Sequence, residues 1–325
     1  MRVLVTGCYG FIGSQLVRRL LMSQKFQVYG IDRGENTSEV TDLRKQMVNL
    51  TSAAWKNPFA LFTLNIADMN ALMDAFKEIK PDMVIHLAAE SGIRKSIISP
   101  EKTTESNLVG FANVLECCHI YGVKNFFYAS SSSVYGHTFE GYDREDAATD
   151  QPVSYYAATK KANELMAHSY SKMYDMNCIG FRFFTVYGPY GRPDMAPWLF
   201  TNACLNDKII KLFNRGNQYR SFTFIDDAIE MVCRLIDKQL TDPEACNVYN
   251  IGNPVSENLR DFVGIIENHV QKQATIVDLP PQTGDVWKTH CDVSKTEERI
   301  GEIQYTNLDD GLKQFCKWFC NAIVK

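Results

Sequence analysis

The chain predicts an α/β protein, a doubly wound parallel sheet joined to a smaller mixed α/β lobe. Three observations carry this. In the first half, short continuous apolar runs alternate with stretches of helical period. Such runs suit parallel strands that are covered on both faces, and strand–helix alternation implies right-handed crossovers onto one sheet. The rhythm breaks after Gly188, at Pro189, Pro193 and Pro197. Finally, 325 residues suffice for one large unit or two domains.

Residues 2–6, 27–31, 61–64, 83–87, 125–129 and 177–184 read as strands, and 12–23, 69–79, 101–121 and 154–174 as the helices among them. The segment 33–58 is the least regular and reads as a surface loop with a helical piece. Beyond 188, short strands at 209–213, 248–251 and 275–278 mix with helices at 226–238, 256–271 and 308–320. The expected division is therefore a mainly dinucleotide-binding part, 1–188, and a mainly substrate-binding lobe, 189–325, interleaved with it. No Gly/Ser-rich linker, repeat or low-complexity segment separates them.

A net charge of −4 and a pI near 5.9 argue against nucleic acid as a partner, because the overall field repels a phosphate backbone. No apolar run approaches the length of a membrane span, and the first residues read as a strand rather than a signal segment. The ten cysteines lack zinc-ligand spacing, so reduced thiols in a cytoplasmic enzyme without a bound metal are expected.

The segment Thr6-Gly7-Cys8-Tyr9-Gly10-Phe11-Ile12-Gly13 follows the first strand and opens a helix. Gly7 suits a tight turn, Gly10 a close approach of backbone to a pyrophosphate, and Gly13 tight packing of helix on strand. The free N–H groups and positive end of that helix then receive phosphate. This is the layout of a Rossmann-type site, with G-x-x-G-x-x-G in place of the usual G-x-G-x-x-G. Asp32 ends the second strand, about 20 residues on, where a carboxylate binds the adenosine ribose. It favours NAD over NADP, although Arg33 beside it is a residue type that accommodates a 2′-phosphate. Asn65 and Ile66 are candidates for the adenine, and Leu87, Ala88 and Ala89 for close passage of the cofactor.

Tyr156 and Lys160 stand at i and i+4 on one predicted helix, so they share a face. A tyrosine ordinarily titrates near 10. A neighbouring ammonium and an oxidised nicotinamide both favour tyrosinate, which makes Tyr156 a candidate general base. Lys160 is also placed to bond the nicotinamide ribose. Tyr155 lacks this partner, since its i+4 residue is Thr159. Ser130, Ser131, Ser132 and Ser133 close the fifth strand, the end at which such sheets bind ligands, and suit a polyhydroxyl substrate.

The segments TGCYGFIG, HLAAESGIRKS, SNLVGFANVLE, SSSSVYG, YAATKKANELMAHSYS, FRFFTVYGPYGRPDMA, RSFTFIDD, YNIGN and GDVWKTHCDVSK span essentially the whole chain. In them the sequence resembles the extended short-chain dehydrogenase/reductase family and, within it, the UDP-glucuronate 4-epimerases. It departs from that pattern at Glu90 (commonly glutamine), Ser221 (aspartate), Asn65 (aspartate) and Thr283 (proline).

The resemblance implies NAD as cofactor, a UDP-sugar as substrate and 4-epimerisation through transient oxidation, with Tyr156, Lys160 and Ser131 catalytic. It adds Asn107 and Phe183 on the cofactor side. On the substrate side it adds Arg94, Ser131, Ser132, Ser133, Thr185, Arg192, Phe213, Arg220 and Asp285. Arg192 is implied to face the sugar or its carboxylate, Phe213 to pack on uracil and Arg220 to grip the diphosphate. It also implies a homodimer built on the helices at 101–121 and 154–174. Decarboxylases and dehydratases of the family resemble S-S-E-V-Y-G and T-D-E-V-Y-G, whereas this chain has Ser132 and Ser133 before Val134. Alternatives in order are a UDP-hexose or UDP-N-acetylhexosamine 4-epimerase, a UDP-glucuronate decarboxylase, and a catalytically silent NAD-binding regulator.

Overall fold

A computed structural model describes residues 1–34, 38–136, 141–281 and 287–324. The chain divides into two units, each discontinuous in sequence. One comprises Met1–Gly136, Ala148–Arg182 and Val232–Tyr249; the other comprises His137–Ala147, Phe183–Met231 and Asn250–Lys325. The chain thus passes between the two units several times.

The first unit holds most of a seven-stranded sheet. Its strands are β1 (Arg2–Thr6), β2 (Gln27–Asp32), β3 (Phe59–Thr63), β4 (Met83–His86), β5 (Asn125–Ser131), β6 (Asn177–Phe183) and Cys246–Ile251. Their spatial order is the last strand, β6, β5, β4, β1, β2, β3. The ladders β1–β2, β2–β3, β1–β4 and β4–β5 are all parallel. The order reverses direction at the β1–β4 pair, the switch point at which doubly wound sheets bind ligands. Register brings the carboxyl ends together: Thr6 pairs Ile31 and His86, and His86 pairs Tyr128. Gly7, Asp32, Leu87 and Ser131 therefore share one edge of the sheet.

Helix Met69–Ile79 shows how local sequence selects these elements. The Asp68 side chain caps it, accepting the N–H groups of Asn70 and Ala71 at 3.1 Å each. Leu72, Ala75, Phe76 and Ile79 then repeat at helical spacing and are buried in one cluster with Leu4, Val84, Phe111 and Phe126.

The helical piece expected within 33–58 is the 17-residue helix Glu39–Trp55. It buries only Val40, Thr41, Arg44 and Val48, and two of those four are polar, so its apolar stripe is thin. Two expectations are corrected. The helix read as continuous over 101–121 is a helix at Pro100–Thr104, a π-helical stretch at Glu105–Gly110 and a helix at Phe111–Ile120. The wide turn lets the Asn107 carbonyl accept from Asn163 Nδ2 at 2.7 Å. It also lets Gly110 lie where a Cβ would meet Ile66 at 2.6 Å. The strand expected at 248–251 in the smaller lobe is the last strand of the main sheet.

The second unit is mixed. Ile209–Phe213 pairs in parallel with Thr275–Leu279, Thr185–Tyr187 in parallel with Phe222–Phe224, and Tyr219–Arg220 antiparallel with Glu257–Asn258. Its interior is aromatic: Tyr187, Phe222, Phe224, Phe262, Phe315 and Phe319 are all buried. All ten cysteines are free thiols. Among the described residues no helix is long and apolar enough to cross a membrane.

Candidate active site

The glycine loop is built by backbone contacts. Gly7 sits at φ +68°, and a Cβ there would lie 2.7 Å from the Ala88 nitrogen. A Cβ on Gly13 would lie 2.1 Å from the Gly7 carbonyl oxygen. Gly10 precedes helix Phe11–Ser23, whose start has no side-chain cap and no acidic residue in its first turn. The N–H groups at Phe11, Ile12 and Gly13 therefore lack an internal competitor of the kind that usually caps them. The Asp32 carboxylate turns towards this loop and accepts the Tyr9 N–H at 3.0 Å. The loop, the open helix end and Asp32 fit a dinucleotide.

Around that edge, Ala88 N donates to Thr6 Oγ1 at 3.2 Å, and Leu87, Ala88 and Ala89 are half-buried. Ile66 is buried against Gly110. Asn65 is exposed; its Nδ2 donates to Glu105 and its Oδ1 accepts the Ala67 N–H. Arg33 lies in an ion pair with Glu90 at 2.9 Å, and Lys95 holds the other oxygen of that carboxylate at 3.0 Å. Burial pushes the Glu90 carboxyl up, but hydrogen bonds from Lys95 and Arg33 outweigh it and hold the group below its ordinary value.

Helix Tyr155–Tyr174 carries Tyr156 and Lys160. Ser154 caps it, accepting the Ala157 N–H at 3.1 Å. Its buried face includes Lys160, Asn163 and Glu164, an unusual load of polar groups for a buried stripe. The Lys160 ammonium lies 5.9 Å from the centre of the Tyr156 ring and donates to the Ala129 carbonyl at 2.9 Å. Burial lowers Lys160 to about 8. The Tyr156 N–H donates to Ser96 Oγ at 3.2 Å. Tyr155 points elsewhere, its hydroxyl bonded to Thr104 at 2.5 Å.

The side chain of Asn107, a candidate on the cofactor side, is hydrogen-bonded within the protein. It is buried, accepts the Glu90 N–H at 2.8 Å, and donates to the Glu90 carbonyl at 3.0 Å and to Thr159 Oγ1 at 3.2 Å. It ties the segment after β4 to the Tyr156 helix. Ser131 Oγ caps the short turn Ser132–Tyr135, accepting the Ser133 N–H at 3.2 Å, and its hydroxyl lies 3.1 Å from that of Ser133.

One group was missed. Glu164 accepts Arg182 through both carboxylate oxygens, at 2.8 and 2.9 Å, and Ser130 Oγ donates to it at 2.6 Å. Arg182 Nη1 also donates to the Tyr135 hydroxyl at 3.0 Å. Arg182 and Glu164 side chains are 4% and 8% exposed, a true buried pair. Two signals were in the sequence: a lone arginine inside an apolar strand, and a glutamate one turn beyond Lys160 on the same face.

This combination of a glycine loop on the first strand and a Tyr-x-x-x-Lys pair on a sheet-edge helix decides the assignment. The chain belongs to the NAD dependent epimerase/dehydratase family. The family model matches residues 3–252. The chain is 39% identical to Protein CapI of Staphylococcus aureus, with 100% of both chains covered. It is 35% identical to a probable UDP-glucuronate 4-epimerase of Rhizobium meliloti, covering 98% of this chain and 97% of that one. A crystal structure of UDP-glucuronic acid 4-epimerase from Bacillus cereus, with UDP-glucuronic acid and NAD, superposes with a TM-score of 0.88 at 32% identity over 99% of each chain.

In the second unit of this family member, Phe183 is buried, and Thr185 opens a strand opposite Phe222 and is half-buried. Phe213 is half-buried opposite Leu279. Arg220 donates from Nη1 to the carbonyls of Tyr219 and Trp287, each at 2.9 Å. Arg192 departs from expectation. Its Nε and Nη2 are both taken by Asp194, at 2.9 and 2.5 Å, so a local carboxylate already fills the fork implied for a sugar carboxylate. Ser221, standing in place of an aspartate, is fully buried and accepts the Cys291 N–H at 3.0 Å. In the first unit Arg94 is exposed, while Ser132 and Ser133 are half-buried. Asp285 and Thr283 lie outside the described residues. Among the described residues no cluster of three or more His, Cys, Asp or Glu is placed to hold a metal.

Proposed function

We propose that the chain catalyses NAD-dependent 4-epimerisation of a UDP-sugar, UDP-glucuronate to UDP-galacturonate and back. The observation that carries it is the Tyr156–Lys160 pair, with a buried ammonium 5.9 Å from the phenol ring. Gly7, Gly10, Gly13, Phe11, Ile12 and Asp32 would hold the cofactor's pyrophosphate and adenosine ribose. NAD, when bound, supplies a reversible hydride acceptor for carbon 4 of the sugar. Tyr156 takes the proton of the 4-hydroxyl and returns it. Lys160 favours the tyrosinate, and Ser131 hydrogen-bonds the same hydroxyl and holds it in line. Phe213, Thr185 and Arg220 are assigned to the nucleotide and sugar, as the relatives' substrates suggest.

A neutral-sugar preference, for UDP-glucose and UDP-galactose, is the second reading. It is favoured by the engagement of Arg192 with Asp194, which occupies the fork implied for a uronate carboxylate. The test is incubation with a panel of UDP-sugars and NMR of the products, with kcat/KM for each pair. Faster interconversion of the uronates supports the first reading, and faster interconversion of the hexoses replaces it with the second. Arg192→Ala is expected to change both pairs alike, within about threefold, since its loss removes a loop contact rather than a carboxylate partner. A selective loss on uronates returns Arg192 to the substrate.

We also infer a cytoplasmic homodimer. Val109, Leu165 and Met173, on the two helical segments that make the dimer in the resembled family, are 46%, 60% and 57% exposed. Light scattering of the purified chain tests it, and a monomer at micromolar concentration refutes it.

A further inference from the structure

Arg33 follows Asp32 at the end of β2, where a 2′-phosphate on the adenosine ribose would arrive if Asp32 binds that ribose. An arginine there ought to recruit NADP. In this protein its guanidinium is already engaged. Nη2 lies 2.9 Å from Glu90 Oε2, while Lys95 occupies Oε1 at 3.0 Å. Glu90 itself does not swing freely. Its side chain is only 12% exposed, and its backbone N–H and carbonyl are both bonded to the buried side chain of Asn107. The three charges line a cleft of about 470 Å³ together with Asn65, Lys102 and Glu105. Glu105 in turn is bonded to Asn65.

We propose that Glu90 is a specificity residue for the cofactor: anchored by Asn107, it holds Arg33 away from the ribose and keeps the site selective for NAD against NADP. The assignment rests on the reading of Asp32 and the glycine loop as the adenosine-ribose and pyrophosphate site. A cation paired with a carboxylate makes a poor phosphate ligand, because the pair must be broken first. Replacing Glu90 by glutamine keeps its shape, retains one acceptor and removes the charge that holds Arg33. The gain for NADP is a new charge-assisted contact at a partly exposed site, about five- to tenfold in relative affinity.

The experiment is calorimetric titration of the full chain, stripped of carried-over nucleotide, with NAD and with NADP. Glu90→Gln is expected to lower the ratio of the NADP to the NAD dissociation constant about five- to tenfold, and adding Arg33→Ala to that variant should abolish the gain. Arg33→Ala alone should leave the ratio within twofold of the unaltered protein, since Arg33 is withheld from the phosphate. A Glu90→Gln ratio unchanged within twofold overturns the proposal. So does a gain that survives the loss of Arg33, or a weakening of NADP by Arg33→Ala alone. A purely structural role for Glu90 would weaken both nucleotides together and leave the ratio unmoved. Failure of the unaltered chain to bind NAD at all overturns the cofactor reading, and this proposal with it.

Discussion

Replacing Glu164 by glutamine should destabilise the protein by about 3–5 kcal/mol, because it leaves the Arg182 cation buried without its counter-charge. The geometry supports the upper part of that range. Three donors converge on the carboxylate, Nε and Nη2 of Arg182 at 2.8 and 2.9 Å and Ser130 Oγ at 2.6 Å. Glutamine offers one oxygen and turns an NH2 towards donors, so at least one bond becomes a donor–donor clash. At about 2–4 °C per kcal/mol the midpoint should fall on the order of 10 °C. Calorimetry or a circular-dichroism melt measures it. Activity should fall further than stability explains, measured well below the melt. Ser130 and Tyr135, the two neighbours that the pair fixes, bracket Ser131, and Glu164 lies one turn beyond Lys160. The double variant Glu164→Leu with Arg182→Met should recover at least half the lost stability, since no lone charge remains. A midpoint lowered by less than about 2 °C in Glu164→Gln, or a double variant worse than either single, would refute the account.

Tyr156→Phe should lower turnover by about 100- to 10,000-fold while NAD and UDP-sugar binding, read by calorimetry, stay near wild type; near-normal turnover removes Tyr156 from the role. Lys160 is held by burial at about 8 against an ordinary 10.5, so below pH 8 its charged form costs about 3 kcal/mol. Because the folded state releases its proton first, wild-type stability should rise between pH 8 and 10.5. Lys160→Met should therefore at least match wild type at pH 7 while losing turnover, the removed cost offsetting about 1–3 kcal/mol for an unpaired Ala129 carbonyl. Its advantage should shrink as pH rises, and a denaturation series showing a pH-independent gap would contradict this. Gly13→Ala should abolish NAD binding and lower the melting midpoint, since its Cβ would meet the Gly7 oxygen at 2.1 Å and backbone cannot yield as a side chain does. Retained NAD affinity in that variant would show the loop to be slacker than its contacts indicate.

By itself the sequence determined those features that rest on local chemistry. Continuous apolar runs specify strands buried on both faces, a Gly-rich turn needs no distant partner to be recognised, and the i, i+4 spacing of Tyr156 and Lys160 sets a shared face wherever that helix lies. Tertiary structure decided what depends on partners far along the chain. Glu164 and Arg182 are 18 residues apart and Arg33 and Glu90 are 57 apart, and nothing local to any of them names its partner. The helix at Glu39–Trp55 was legible only as a helical piece without bounds, because its buried stripe includes Thr41 and Arg44, which mimic a solvated face. The break at Glu105–Gly110 escaped because a π-turn arises from Asn107 and Gly110 meeting Asn163 and Ile66, not from helix propensity. Arg192 shows the same division: its fork shape is legible in the sequence, but whether a substrate or Asp194 fills it depends on how the loop folds.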